Sequence, residues 1–146
     1  MSGWFEDWVV GHRFHHQRGK TITDFEVATL CHLVMNTAQA HFNEHLMASG
    51  SSFAARRVAF GGITASIVVG LATPDTTEHA LAEVGLDGIR LRKPVGVGDT
   101  LYALTEVVAK DEETDVVTFR HWGLNQDGEV IFEGTRTVRM KRRPDA

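Results

Sequence analysis

The hydrophobic pattern divides the chain into a helical first half and a stranded second half. Val27, Leu30, Cys31, Val34 and Met35 recur at i, i+3, i+4, i+7 and i+8, one apolar stripe of a helix. Just before it, Thr23-Asp24-Phe25-Glu26 has the form of a capping box, in which the Thr23 hydroxyl takes the N3 amide and Glu26 reaches back. Residues 12–22 read as an extended lead-in. After Met35 the period is lost over 36–43, which predicts a loop carrying His41, followed by a short helix near 44–48. From about 62 to 72 almost no polar face remains. A second helix is expected there, buried nearly all round and closed by Thr73-Pro74-Asp75.

Beyond that helix the period changes to two. Ile89-Arg90-Leu91-Arg92 alternates, Gly98-Asp99 marks a turn before a strand over 101–109, and 116–124 reads as the next strand. Asn125-Gln126-Asp127-Gly128 contains the Asp-Gly pair that favours a tight hairpin, and 130–140 completes it. The sum is a single α+β domain over residues 1–146, with antiparallel strands curling around a buried central helix and a basic tail at about 141–146. No repeat, low-complexity tract or Pro/Ser-rich linker marks a second domain.

Composition narrows the function classes. With 146 residues, 42% of them hydrophobic and 23% charged, the chain has the balance of a globular domain able to bury a core. Its one cysteine, Cys31, excludes an intrachain disulfide and falls on the apolar stripe, where a buried structural thiol is expected. The longest apolar run, 63–72, is about half of the roughly 20 residues a membrane span needs. Residues 1–7 lack the basic-then-apolar order of a secretory leader. These features lead to the expectation of a cytoplasmic protein without membrane contact. The net charge of −4 argues against general nucleic-acid binding. The basic groups cluster, however, at Arg56-Arg57, at Arg90, Arg92 and Lys93, and at Lys141-Arg142-Arg143. Such runs are either solvated faces or positive spots for a phosphorylated ligand, and composition leaves both readings open.

Three segments, in order, carry a family likeness. Arg56-Arg57-Val58-Ala59-Phe60-Gly61-Gly62-Ile63-Thr64-Ala65-Ser66 resembles the segment that opens the central helix of MaoC-like (R)-specific enoyl-CoA hydratases. Upstream, Met35-Asn36-Thr37-Ala38-Gln39-Ala40-His41 is similar to their hydratase loop, Asp-x-Asn-Pro-x-His. Downstream, Arg92-Lys93-Pro94-Val95-Gly96-Val97-Gly98-Asp99-Thr100-Leu101 is similar to their Pro-Val…Gly-Asp-Thr element. The likeness runs from about residue 11 to 139, and its wording is nearest the branch holding mesaconyl-CoA and β-methylmalyl-CoA hydratases. It implies a hot-dog fold and a homodimer with active sites built between subunits. It also implies addition or removal of water across the double bond of a short, branched or carboxylated enoyl thioester. The thioester is carried on coenzyme A or an acyl carrier, and no metal or further cofactor is called for.

The same likeness distributes the roles. His41 matches the catalytic histidine, and histidine is the side chain that exchanges protons near neutral pH. Gly61 matches the oxyanion position, where a first-turn amide left unpaired by the helix can meet a thioester oxygen. Phe60 and Gly62 flank it as substrate-contacting positions, and Arg56, Arg57 and Arg92 are candidates for coenzyme A phosphates or a substrate carboxylate. The departure is at Asn36, which stands where the family has its catalytic aspartate; Ala38 and Gln39 replace the motif's asparagine and proline. An amide can orient water but cannot take its proton. Three explanations follow: His41 carries the acid–base work alone, Glu44 or Asp24 substitutes, or the site binds without turnover. A hot-dog thioesterase and a non-catalytic acyl-thioester binding subunit are the alternatives to a hydratase.

The other candidates weigh less. His41 and His45 are four apart, but no third metal ligand stands at a matching spacing. His12, His15 and His16 are assigned to the surface lead-in, and the remaining histidines to ordinary positions. Ser66 lies in no Gly-x-Ser-x-Gly elbow.

Overall fold

A computed structural model describes residues 3–50 and 54–144. The lead-in forms two short strands, β1 (Arg13–His15) and β2 (Lys20–Thr21). Three helices follow: α1 (Asp24–Leu33), α2 (Gln39–Phe42) and α3 (Glu44–Ala48). The long α4 (Gly61–Thr76) leads into β3 (Ala80–Leu91), β4 (Thr100–Asp111), β5 (Val116–Leu124) and β6 (Val130–Met140). The strands make one antiparallel sheet in the order β1-β4-β5-β6-β3, with β2 also on β4.

The sheet wraps α4 as a hot-dog fold does, because its strands alternate. Val117, Phe119, His121 and Gly123 of β5 are buried, while Arg120 and Trp122 between them turn to the other face. Val68, Leu71 and Ala72 of α4 pack with Leu101, Ala103, Ile131 and Phe132 from the strands. Gly123 permits the close approach, since a Cβ there would lie 2.5 Å from the Val68 side chain and 2.9 Å from that of Ile131. A second core, of Phe5, Trp8, Val107, Phe119 and Met140, closes the other end. There the Trp8 and Phe119 rings meet edge to face at 5.0 Å.

Several boundaries move from their sequence positions. The Thr23 capping box forms, with Glu26 N–H donating to Thr23 Oγ1 at 3.3 Å and Thr23 N–H to Glu26 Oε2 at 3.0 Å. The apolar stripe nevertheless overshoots: α1 ends at Leu33, Met35 takes the left-handed φ of 60°, and Val34 and Met35 stand exposed. His41 lies on a turn of helix rather than in a loop: Gln39–Phe42 form α2, with Asn43 N–H donating to the Gln39 carbonyl at 2.9 Å. Helix α4 continues through Pro74 to Thr76, four residues beyond the expected stop. Proline removes one donor there, and the Thr73 and Thr76 hydroxyls bond back to the carbonyls of Val69 and Ala72 across that turn. Nor is α4 enclosed on every side: Ser66 and Gly70 are exposed. The end of the basic tail, 145–146, lies outside the described residues. No helix among the described residues is long and apolar enough to cross a membrane.

Two histidines assigned to ordinary positions are core residues. His16 Nδ1 lies 2.7 Å from Asp75 Oδ2 and its Nε2 2.7 Å from Thr105 Oγ1, which is in turn 2.8 Å from His121 Nδ1. His121 is fully buried, and its Nε2 has no partner among the described residues. Burial first, and the charge of Arg136 second, push its pKa down to about 3. The unfolded chain therefore binds a proton that the native state refuses. This contribution to stability is fully present above about pH 6.5 and is lost as the pH falls toward 3. Denaturant titrations should show His121→Gln losing about 2 kcal/mol less stability than the parent between pH 7.5 and 5. Parallel losses in the two proteins over that interval would contradict a neutral His121.

Candidate active site

The site begins with a backbone stitch. Val58 N–H donates to the Ala40 carbonyl at 3.1 Å, and His41 Nδ1–H donates to the Val58 carbonyl at 2.7 Å. On its other side the segment is held by Ala59 N–H on the Val95 carbonyl at 2.7 Å and by the Val58–Gly96 bridge. One extended stretch thus fixes α2, the segment after β3 and the start of α4. A carbonyl can only accept, so Nδ1 carries the proton and Nε2 is the basic nitrogen of the neutral ring.

His41, 8% exposed, lines a cavity of about 480 Å3 together with Val58, Ala59, Gly61, Thr64 and the 91–95 segment. Gly61 begins α4. The bonds to the Phe60 carbonyl come from Ile63 and Thr64, so the first-turn amides of Gly61 and Gly62 have no helical acceptor. A Cβ on Gly61 would lie 2.2 Å from Leu91 Cδ1, on the opposite wall of the same cavity. The glycine therefore keeps space open beside the positive end of a 16-residue helix.

The structure brings together His41, Gly61 and Arg92, all on this cavity. Phe60 and Gly62 line a separate cleft of about 320 Å3 with Leu30, Val34 and Ile67, between α1 and α4. Asn36 is on neither lining; its Oδ1 accepts from Ala38 N–H at 3.4 Å in a local turn. Arg56 donates to Asp99 Oδ2 at 2.5 Å and to the Val97 carbonyl at 3.0 Å. Burial raises the Asp99 pKa, but the bonds from Arg56, the Gly96 amide and Gln126 outweigh it and hold the carboxyl below its usual range. Arg57 pairs with Asp24 and with Glu44, the latter at 2.9 Å, and both carboxylates raise its pKa. Asp24 and Glu44, the two substitutes for the missing aspartate, are thus committed to one guanidinium.

Thr64 is the lining residue that sequence reading passed over. It is buried at 3% exposure on the cavity wall, and the signal for it was its i+3 spacing from Gly61 on the same helix. No Asp or Glu lines the cavity among the described residues, and no group of three metal-ligating side chains occurs among them. His41 and His45 sit on separate helices.

Residues 6–142 match the family described as mesaconyl-CoA hydratase. The chain belongs to that family. It is 34% identical over 134 residues to the mesaconyl-CoA hydratase of Haloarcula hispanica, covering 88% of this chain and 36% of that protein. It is 31% identical over 143 residues to the β-methylmalyl-CoA dehydratase of Chloroflexus aurantiacus, covering 96% and 36%. The chain of this mesaconyl-CoA hydratase family member therefore spans little more than a third of those relatives' length. Among solved structures it is similar to a MaoC domain protein dehydratase of Chloroflexus aurantiacus, with a TM-score of 0.84, 28% identity, and coverage of 97% of this chain and 45% of that one. A MaoC-like dehydratase of Rhodospirillum rubrum gives a TM-score of 0.81 and 26% identity, with 97% and 99% covered.

Proposed function

We propose that the protein hydrates the double bond of a short enoyl-CoA, or dehydrates the corresponding 3-hydroxy ester, with His41 as its one acid–base group. The observation that carries this reading is His41 and Gly61 lining one cavity from which carboxylates are absent among the described residues. In the hydration direction, His41 Nε2 takes a proton from water as its oxygen bonds to the β-carbon. The π electrons move to the thioester oxygen, where the Gly61 amide stabilises the enolate. The imidazolium then returns its proton to the α-carbon, the enolate collapses, and His41 is neutral again. A single proton carrier serves both carbons, so water adds to one face. The names of the Haloarcula and Chloroflexus relatives support a branched, carboxylated acyl group such as mesaconyl.

A thioesterase usually drives water onto the thioester carbonyl with a carboxylate, and none lines the cavity among the described residues. The turn formed by Asn36 favours one other reading, a binding subunit without turnover. Both are separated from the hydratase by incubation with crotonyl-CoA and mesaconyl-CoA, following enoyl absorbance and free thiol together. The expected result is loss of absorbance without thiol release, with His41→Ala lowering kcat by about 10³-fold or more. Thiol release, or near-normal turnover by His41→Ala, contradicts the assignment.

We also place a second copy of the chain against β3. This edge strand leaves Leu81, Val84, Leu86, Ile89 and Leu91 at 40–59% exposure. A long apolar edge of this kind is an aggregation hazard unless paired. Leu91 belongs both to that edge and to the His41 cavity, so pairing there would help close the acyl site. Sedimentation equilibrium should give twice the 16.1 kDa protomer mass, and a monomer at micromolar concentration would contradict the pairing.

A further inference from the structure

The sheet face turned away from α4 carries another cavity, of about 490 Å3, that the reaction does not use. Its charged lining comes from neighbouring strands: Arg90 and Arg92 at the end of β3, Arg120 from β5 and Glu133 from β6. Glu133 stands opposite Arg90 in the β3–β6 register and opposite Trp122 in the β5–β6 register. It accepts from Arg92 and from Arg120, the latter at 3.1 Å, and these two bonds, Arg92's first, hold its carboxyl below the usual range. Arg90 donates only to the carbonyl of Ile89, at 3.2 Å, and has no carboxylate partner among the described residues.

The neighbouring acidic groups do not redress the balance. Glu106, opposite Arg120 across β4 and β5, is bonded by Arg13 at 2.6 Å. Asp87 stands opposite Thr135 in the register but does not line the cavity. Three guanidiniums therefore face one carboxylate. Two of them are also pre-positioned: Glu133 fixes Arg92 and Arg120, and the Arg120 guanidinium lies over the Trp122 ring at 4.8 Å. Rigid guanidinium forks with spare positive charge suit phosphate oxygens, which they bind in pairs. Arg92 lines both this cavity and the one containing His41 and Gly61.

We propose that Arg90, Arg92 and Arg120 bind the phosphorylated nucleotide end of a coenzyme A thioester whose acyl end occupies the His41 cavity, with Arg92 at the junction. The assignment rests on the thioester reading above and deepens it, because a carrier-borne thioester has no nucleotide to place here. Glu133 acts as the brace that keeps two of the forks aligned, while Arg90 remains free to meet phosphate.

The probe is 3′-phospho-ADP, the nucleotide portion of coenzyme A, titrated calorimetrically into the parent protein and into the double variant R90Q/R120Q. Binding by the parent, weakened about tenfold or more in the variant and by added salt, is expected. The ratio of kcat/KM for crotonyl-CoA to that for crotonyl-pantetheine should fall by a similar factor. Absence of binding by the parent, or equal binding by the variant, overturns the proposal. R90K/R120K, which keeps the charge, serves as the folding control and should recover part of the affinity; unrecovered binding by a folded R90K/R120K still requires the Arg fork and supports the site. Turnover is read separately. A protein that binds the nucleotide through these arginines but hydrates neither ester refutes the hydratase reading alone, whereas hydration with no arginine dependence refutes the nucleotide site alone.

Discussion

The candidate site depends on the backbone of Val58. Its N–H and C=O are both spent on the α2 segment, at 3.1 Å to Ala40 and 2.7 Å to His41, while the next residue bonds Val95. Each bond contributes only about 1 kcal/mol net, but an unmet buried partner would cost more. Together they hold α2, the stretch leading into α4 and the 95–96 segment in one arrangement. That arrangement sets the tautomer of His41, points the chain into α4 at Gly61, and brings the end of β3 across as the facing wall. The imidazole, the free amides and the cavity between them are consequences of one short extended segment.

The charges around this segment serve to hold it. Arg57 ties the starts of α1 and α3 through Asp24 and Glu44, and Arg56 ties the segment to the turn before β4 through Asp99. Asp24, Glu44 and Asp99 are thereby used in pairing, and among the described residues the cavity is lined by one imidazole, apolar groups, Thr64 and two cations. Among the described residues, His41 is the lining side chain whose ordinary pKa suits it to take and return a proton near neutral pH. The replacement of the family's aspartate by Asn36 fits the same picture, because Asn36 is folded into its own turn.

Much of the fold was legible because it follows from local rules. The capping box at Thr23, the alternation of β5 and the Asp-Gly turn each depend on neighbours in sequence, and each formed where expected. The failures share a cause in contacts between distant residues. The stripe through Met35 has helical spacing, but the chain leaves the helix to deliver His41 to Val58. His16 looked like surface sequence until Asp75 and Thr105, 59 and 89 residues away, enclosed it. Within the site, His41 and Gly61 were readable through the family likeness, whereas Thr64 and the walls from 91–95 needed the packing of β3 across α4. Arg56 and Arg57 carried the right charge for phosphate, but their nearest partners are carboxylates of the chain itself.

The mechanism turns on the Val58 carbonyl, which fixes the proton of His41 on Nδ1 and leaves Nε2 as the base. Long-range ¹H–¹⁵N NMR of the histidine rings, with His41 assigned by its loss in His41→Gln, reads that directly. At a pH where the ring is neutral, a protonated-type shift is expected at Nδ1 and an unprotonated one at Nε2. The opposite tautomer would put the proton on the nitrogen required to accept one from water, and would contradict the mechanism at its first step.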